Sequence, residues 1–162
     1  MIRKAEPGDL RAIAEININA WKINYRGIID DDFLNTRSVE NFIQKRKEDN
    51  WFGDSENNSF VYEENATVKG FTSGNRKNKM YDCETTGLYV GVPYQGKGIG
   101  TKLLDFMKDH YRKTSCKNMV IWTIRGLPNN GFYLKNGGVI KESGEHEWGG
   151  KKYPIIGFVF SL

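Results

Sequence analysis

The stretch Leu88-Tyr89-Val90-Gly91-Val92-Pro93-Tyr94-Gln95-Gly96-Lys97-Gly98-Ile99-Gly100 restricts the folds open to this chain more than any other. It joins an apolar strand to an amphipathic helix through a loop that ends with glycine at every second position. Ile99, Leu103, Phe106, Met107 and His110 or Tyr111 recur at helical spacing, with Lys102, Asp105, Lys108 and Asp109 on the other face. Glycines allow backbone N–H groups to converge without Cβ obstruction, and the first turn of the helix adds unpaired N–H groups and the positive end of its dipole. A strand, loop and helix of this kind form a cradle for an anion.

Two well-known phosphate loops fail the comparison. Gly91-x-x-x-x-Gly96-Lys97 has the spacing of the nucleoside triphosphate loop, but Gly98 stands where a magnesium-binding Ser or Thr is required. The dinucleotide pattern G-x-G-x-x-G is one position out of register, since Gly96-x-Gly98 is followed by Gly100 and Thr101. Gln-x-x-Gly-x-Gly fits without adjustment as Gln95-Gly96-Lys97-Gly98-Ile99-Gly100. This segment resembles the acyl-CoA-binding motif of the GNAT family, the Gcn5-related N-acetyltransferases. The resemblance implies that the amides of Gln95, Gly96, Lys97, Gly98, Ile99 and Gly100 hold the coenzyme A pyrophosphate. By the same analogy, the backbones of Leu88 and Val90 face the pantetheine arm.

With 162 residues, 38% of them hydrophobic, the chain is expected to form a single domain, 1–162, with a core of ordinary size. A net charge of +4 suits an anionic cofactor and is too dispersed to indicate nucleic acid. Cys83 and Cys116 are expected to be reduced thiols. Met1-Ile2-Arg3-Lys4 leads into no apolar signal segment, and no run reaches the roughly 20 apolar residues needed to span a bilayer, so a cytoplasmic location is expected. His110 and His146 are the two histidines, and no clustered Cys/His spacing supports a metal site.

In chain order, Met1 to Ala5 reads as a strand. Pro7-Gly8-Asp9 caps a helix from about Leu10 to Ile23, and a second helix follows Ser38. Phe60–Glu63 and Thr67–Thr72 flank the turn Glu64-Asn65-Ala66 as a hairpin. Tyr81 to Val90 forms the strand before the cradle, whose helix runs to about Arg112. Met119–Ile124 is the next strand, and a short helix opens at Pro128 and stops at Gly137-Gly138. Val139–His146 and Tyr153–Leu162 form a last hairpin. The expected class is α+β in the order β-α-α-β-β-β-α-β-α-β-β. A GNAT-like, mixed but mostly antiparallel sheet of about seven strands would carry helices on both faces.

The resemblance extends from Glu84 to Gly138. Glu84 matches a strand carboxylate six residues before Val90. Phe132-Tyr133-x-x-x-Gly137 matches the family's motif on the last helix, where the tyrosine lies beside the acetyl-CoA sulfur. The sequence departs at Gly126, where the family usually has Asn, and at Gly138, where it usually has an aromatic residue. Asn129 and Asn130 lie near but out of register.

The implied activity is direct acetyl transfer from acetyl-CoA to a primary amine of a small molecule or peptide. The alternative is a catalytically silent acyl-CoA-binding module of the same fold. Deprotonating an amine of pKa about 10.4 at pH 7 costs roughly 4 kcal/mol, so a proton acceptor is needed; Glu84 is the candidate, acting directly or through water. Tyr133 is the candidate donor to the sulfur as charge develops there. The resemblance also implies an acceptor pocket walled by Trp21, Tyr25, Asp30 to Asp32, Trp148 and Tyr153. Its aromatics and acids would suit a cationic amine. Related folds are often homodimers.

Overall fold

Strand β4 (Cys83–Val90) and helix α4 (Ile99–Lys113) lie at the centre of a computed structural model that describes all residues 1–162. Around them the chain runs β1 (Ile2–Lys4), α1 (Leu10–Asn24), α2 (Asp31–Thr36), α3 (Val39–Glu48), β2 (Asn57–Glu64) and β3 (Thr67–Asn75) before β4 and α4. It continues with β5 (Asn118–Ile124), α5 (Asn129–Lys135), β6 (Val139–Trp148) and β7 (Lys151–Ser161). The strands make one sheet in the order β1-β2-β3-β4-β5-β7-β6, antiparallel except where β4 lies parallel to β5. The parallel pair is the one joined by a helical crossover, as that direction requires. The expected class and strand count are therefore observed.

One element was not expected. The run Asp30-Asp31-Asp32 opens α2: Asp30 Oδ1 accepts from the N–H groups of Asp32 at 3.0 Å and Phe33 at 3.3 Å, and two more carboxylates sit in the positive first turn. The order thus has three helices before β2. The β2–β3 turn is also tighter than expected. Asn65 and Ala66 alone make it, both at positive φ, and Glu64 pairs with Thr67.

Helices cover both faces. On one, Leu10, Ile13 and Ile16 of α1 pack with Val61 and Phe71 of the sheet, and Phe42 and Ile43 of α3 pack against the same cluster. On the other, Leu104, Met107 and Tyr111 of α4 meet Met119, Ile121 and Phe158. Each set recurs at three- or four-residue intervals, which gives a helix one apolar stripe. Cys83 and Cys116 are buried in the second core and joined as a disulfide, with Cα atoms 6.3 Å apart. This corrects the expectation of free thiols. The crossover of α4 brings the start of β4 beside the start of β5, a proximity that a separation of 33 residues does not reveal. No helix is long and apolar enough to cross a membrane.

Candidate active site

The parallel pairing of β4 with β5 covers only Cys83 with Met119, Glu84 with Val120 and Thr85 with Ile121. At that point a bulge interrupts β4, since Gly74 pairs with Thr85 but Ser73 pairs with Gly87, leaving Thr86 extra. A bulge bends its strand and strengthens the local twist. Beyond it, β4 keeps its ladder with β3 while β5 keeps its ladder with β7, and the two strands have no pairing with each other. The backbone edges of Leu88 and Val90 are thereby opened to a cavity of roughly 660 Å³, bounded by β4, β5, the glycine loop and α5.

The glycine loop forms one end of this cavity. Gly96 and Gly98 take φ of +72° and +79°, a region in which a Cβ costs about 1–2 kcal/mol, so each turn needs its glycine. From Gly96 to Thr101 no backbone N–H donates to a backbone carbonyl or to a side chain; the next amide, Lys102, bonds Gly98 O at 3.1 Å. These free donors, aimed from loop and helix start, fit a diphosphate. Gln95 is also bonded within the loop. Its N–H turns back to Val92 O at 3.4 Å and its side-chain Nε2 donates to Val90 O at 3.0 Å, so it braces the loop. Lys97 Nζ bonds Pro93 O at 3.2 Å. Gly100 lies against Phe132, where a Cβ would come 3.4 Å from the ring.

Tyr133 stands at the other end. Its ring is buried against Phe132 and Phe158, while its hydroxyl makes no hydrogen bond within the protein and lines the cavity. Burial, with Tyr89 adding a smaller push, raises its pKa well above the ordinary tyrosine value. At neutral pH it is a neutral O–H donor with a free hydrogen. Asn129 lines the same cavity and bonds Thr123 Oγ1; Asn130 is spent on Ile124 O at 3.1 Å and on the Gly126 N–H at 2.9 Å.

Glu84 is not brought to this cavity. Its carboxylate accepts from Asn78 Nδ2 at 2.8 Å, two residues before Thr86, and it lines neither this space nor the one beside it. That second space, roughly 850 Å³, lies on the α1 and α3 side and shares Thr86, Gly87 and Tyr89 with the first. Tyr89 marks the junction, stacked on Phe71 and accepting from Trp21 Nε1 at 3.0 Å. Trp21 and Trp148 wall the second space, and Tyr25 lines the first.

The acids expected in the acceptor pocket are elsewhere. Asp30 caps α2, pairs with Lys151 and accepts nothing from a cavity, and Asp31 pairs with Arg26 at 3.3 Å. Tyr153 receives the Asp30 N–H at 3.0 Å on its hydroxyl. No carboxylate lines either space. The residues that sequence reasoning missed are Arg37 and Arg46, which do line the second space. Neither belongs to an apolar stripe, and only the packing of α2 and α3 on the sheet brings them together.

A split sheet, free amides at the start of a helix and an unpartnered tyrosine hydroxyl thus line one cavity, an arrangement suited to an acyl-coenzyme A transferase. The profile of the Acetyltransferase (GNAT) family matches residues 24–138, and the chain belongs to that family. It is therefore an N-acetyltransferase that uses acetyl-CoA as co-substrate. A curated relative, the uncharacterized N-acetyltransferase YuaI of Bacillus subtilis (strain 168), is 29% identical over 136 residues, 82% of this chain and 76% of that protein. Among solved structures, the PaiA N-acetyltransferase of Thermoplasma acidophilum in complex with coenzyme A superposes with a TM-score of 0.77. It is 20% identical and covers 100% of this chain and 98% of its own. YncA, a putative acetyltransferase from Salmonella typhimurium with acetyl-CoA, gives 0.70 at 22% identity over 100% and 93%.

Proposed function

We propose that the enzyme moves the acetyl group directly from acetyl-CoA to a primary amine of a small molecule or peptide, without a covalent enzyme intermediate. The observation that carries this reading is the junction at Thr86, Gly87 and Tyr89, where a cavity suited to the thioester meets a second one open to an acceptor. The amides from Gly96 to Thr101 hold the diphosphate, the opened edge at Leu88 and Val90 meets the pantetheine arm, and Asn129 faces the same channel.

The amine nitrogen attacks the thioester carbon, the carbon–sulfur bond breaks, and the departing thiolate receives a hydrogen bond from Tyr133. The amine's proton leaves through water. Glu84, about 6–7 Å along the strand from Thr86, is the terminal acceptor in this reading and makes no direct contact with the amine. Both cysteines are buried in the core as a disulfide, which leaves no nucleophilic thiol for a two-step route.

A homodimer is proposed on two features: β6 is a free sheet edge, and Leu134, Val139 and Ile140 leave large apolar side chains exposed around its start. Sedimentation velocity reads this directly. A cytoplasmic location is proposed from the co-substrate, an intracellular metabolite. The transfer reading is tested by thiol release from acetyl-CoA across a panel of amines, with mass spectrometry of the product. Saturable acetyl-CoA binding without turnover of any amine would favour the silent binding module.

A further inference from the structure

The second space carries charge of one sign. Arg37, Lys45 and Arg46 line it, and no carboxylate does. Asp49 beside it is shared between Lys45 at 3.0 Å and Arg46 at 3.9 Å. Arg37 has no acidic partner at all. Its guanidinium stacks 4.0 Å from the Trp21 ring centroid, and Nη2 donates to Asn17 Oδ1 at 3.0 Å. Its Nε, like that of Arg46, is shielded from solvent and donates to nothing.

A half-buried cation with unused donors is costly, because solvent is excluded and, for Arg37, the Trp21 ring and Asn17 replace it only in part. Burial acts on both guanidiniums by lowering their pKa, and they repel each other, yet arginine stays charged in proteins. Nη1, which donates to nothing, and the second N–H of Nη2 leave Arg37 a two-donor edge that matches the two oxygens of a carboxylate. A polyamine, by contrast, would bring further positive charge to a wall of three cations that have the single carboxylate of Asp49 among them.

From this wall we infer that the acceptor amine carries a carboxylate, as a free amino acid does, and that Arg37 is the specificity-determining residue that binds it. The inference rests on the transfer reading above. It places the amine near Tyr89 and the carboxylate toward α2 and α3, so that the two ends of one small molecule bridge the junction. Trp21 and Trp148, in edge-to-face contact with ring centroids 5.7 Å apart, then form one aromatic wall against the side chain.

The test compares free amino acids with their methyl esters, with an aminophosphonate and with spermidine, in wild type and in Arg37→Gln and Arg37→Lys. The expected result is a preference for the free acids over their esters and over spermidine. Arg37→Gln should lower kcat/KM for the acids about 10- to 150-fold, the range of a hydrogen bond to a charged group, mainly through KM. The KM for acetyl-CoA should not move, and Arg37→Lys should recover part of the loss. Preference for the aminophosphonate over the carboxylic acid would replace the carboxylate assignment. Acetylation of esters or spermidine in preference to acids would overturn the inference and leave the transfer reading standing. If no amine is acetylated, calorimetric titration of the free acids into coenzyme A-saturated protein decides separately. Binding that Arg37→Gln abolishes supports the anion site, and absence of binding removes it.

Discussion

Tyr133→Phe removes one oxygen from a position where the protein makes no use of it. The hydroxyl bonds to nothing in the chain, so its loss strands no partner, and the ring keeps its contacts with Phe132 and Phe158. Folding stability should therefore change by less than about 0.5 kcal/mol, within the range of substitutions that break no buried contact. Catalysis should respond quite differently. The thiolate that leaves has a parent pKa near 8.5, and charge accumulates on sulfur as the carbon–sulfur bond breaks. A hydrogen bond to a charged group contributes about 1.5–3 kcal/mol, which corresponds to a loss of about 10- to 150-fold in kcat. The assay is steady-state thiol release, with coenzyme A affinity by calorimetry and melting temperature measured on the same preparation. Unchanged kcat would refute the placement of Tyr133 at the sulfur. An equal loss in affinity and melting temperature would show that the residue acts through the fold.

Three further outcomes are expected. Glu84→Gln should cost less in kcat than Tyr133→Phe, and the deficit should shrink as pH rises toward the pKa of the amine, because a deprotonated amine needs no acceptor; a pH–rate profile of both proteins checks this. Asp9 is held below the usual carboxylate range by its hydrogen bonds from Arg3 at 2.7 and 2.9 Å and, more weakly, from the Glu6 N–H. A depressed carboxyl stabilises the fold above its unfolded pKa of about 3.9, and that contribution disappears as pH falls through the lower folded value. Asp9→Asn should accordingly cost about 1–3 kcal/mol in urea unfolding at pH 7, and progressively less in acid. Cys83 and Cys116 should give no reaction with a thiol reagent in denaturant without reductant; two free thiols would refute the pairing.

The strand, glycine loop and helix from Leu88 onward were legible because their signals are local: an apolar run, required positive φ at Gly96 and Gly98, and a helical stripe. The final hairpin around Gly149-Gly150 was legible for the same reason. Helix α2 was not, since an acidic run reads as solvated surface unless the first aspartate is seen as a cap. The bulge at Thr86 has no residue signature, and it falls where β4 parts from β5. Tyr133, singled out through its motif with Phe132 and Gly137, lines the cavity. Arg37 was invisible because its neighbours Asn17, Trp21 and Arg46 are distant in sequence, and only packing reveals that it lacks a counter-ion.

The central claim is that free backbone amides at the β4–α4 handover grip the diphosphate of coenzyme A. Amide nitrogen–proton NMR spectra during titration with coenzyme A, and in parallel with pantetheine, which lacks the diphosphate, test it most directly. The account predicts that Gly96 to Thr101 shift with coenzyme A and stay in place with pantetheine, while Leu88 and Val90 shift with both. Binding of coenzyme A that leaves the Gly96 to Thr101 resonances unmoved would contradict it.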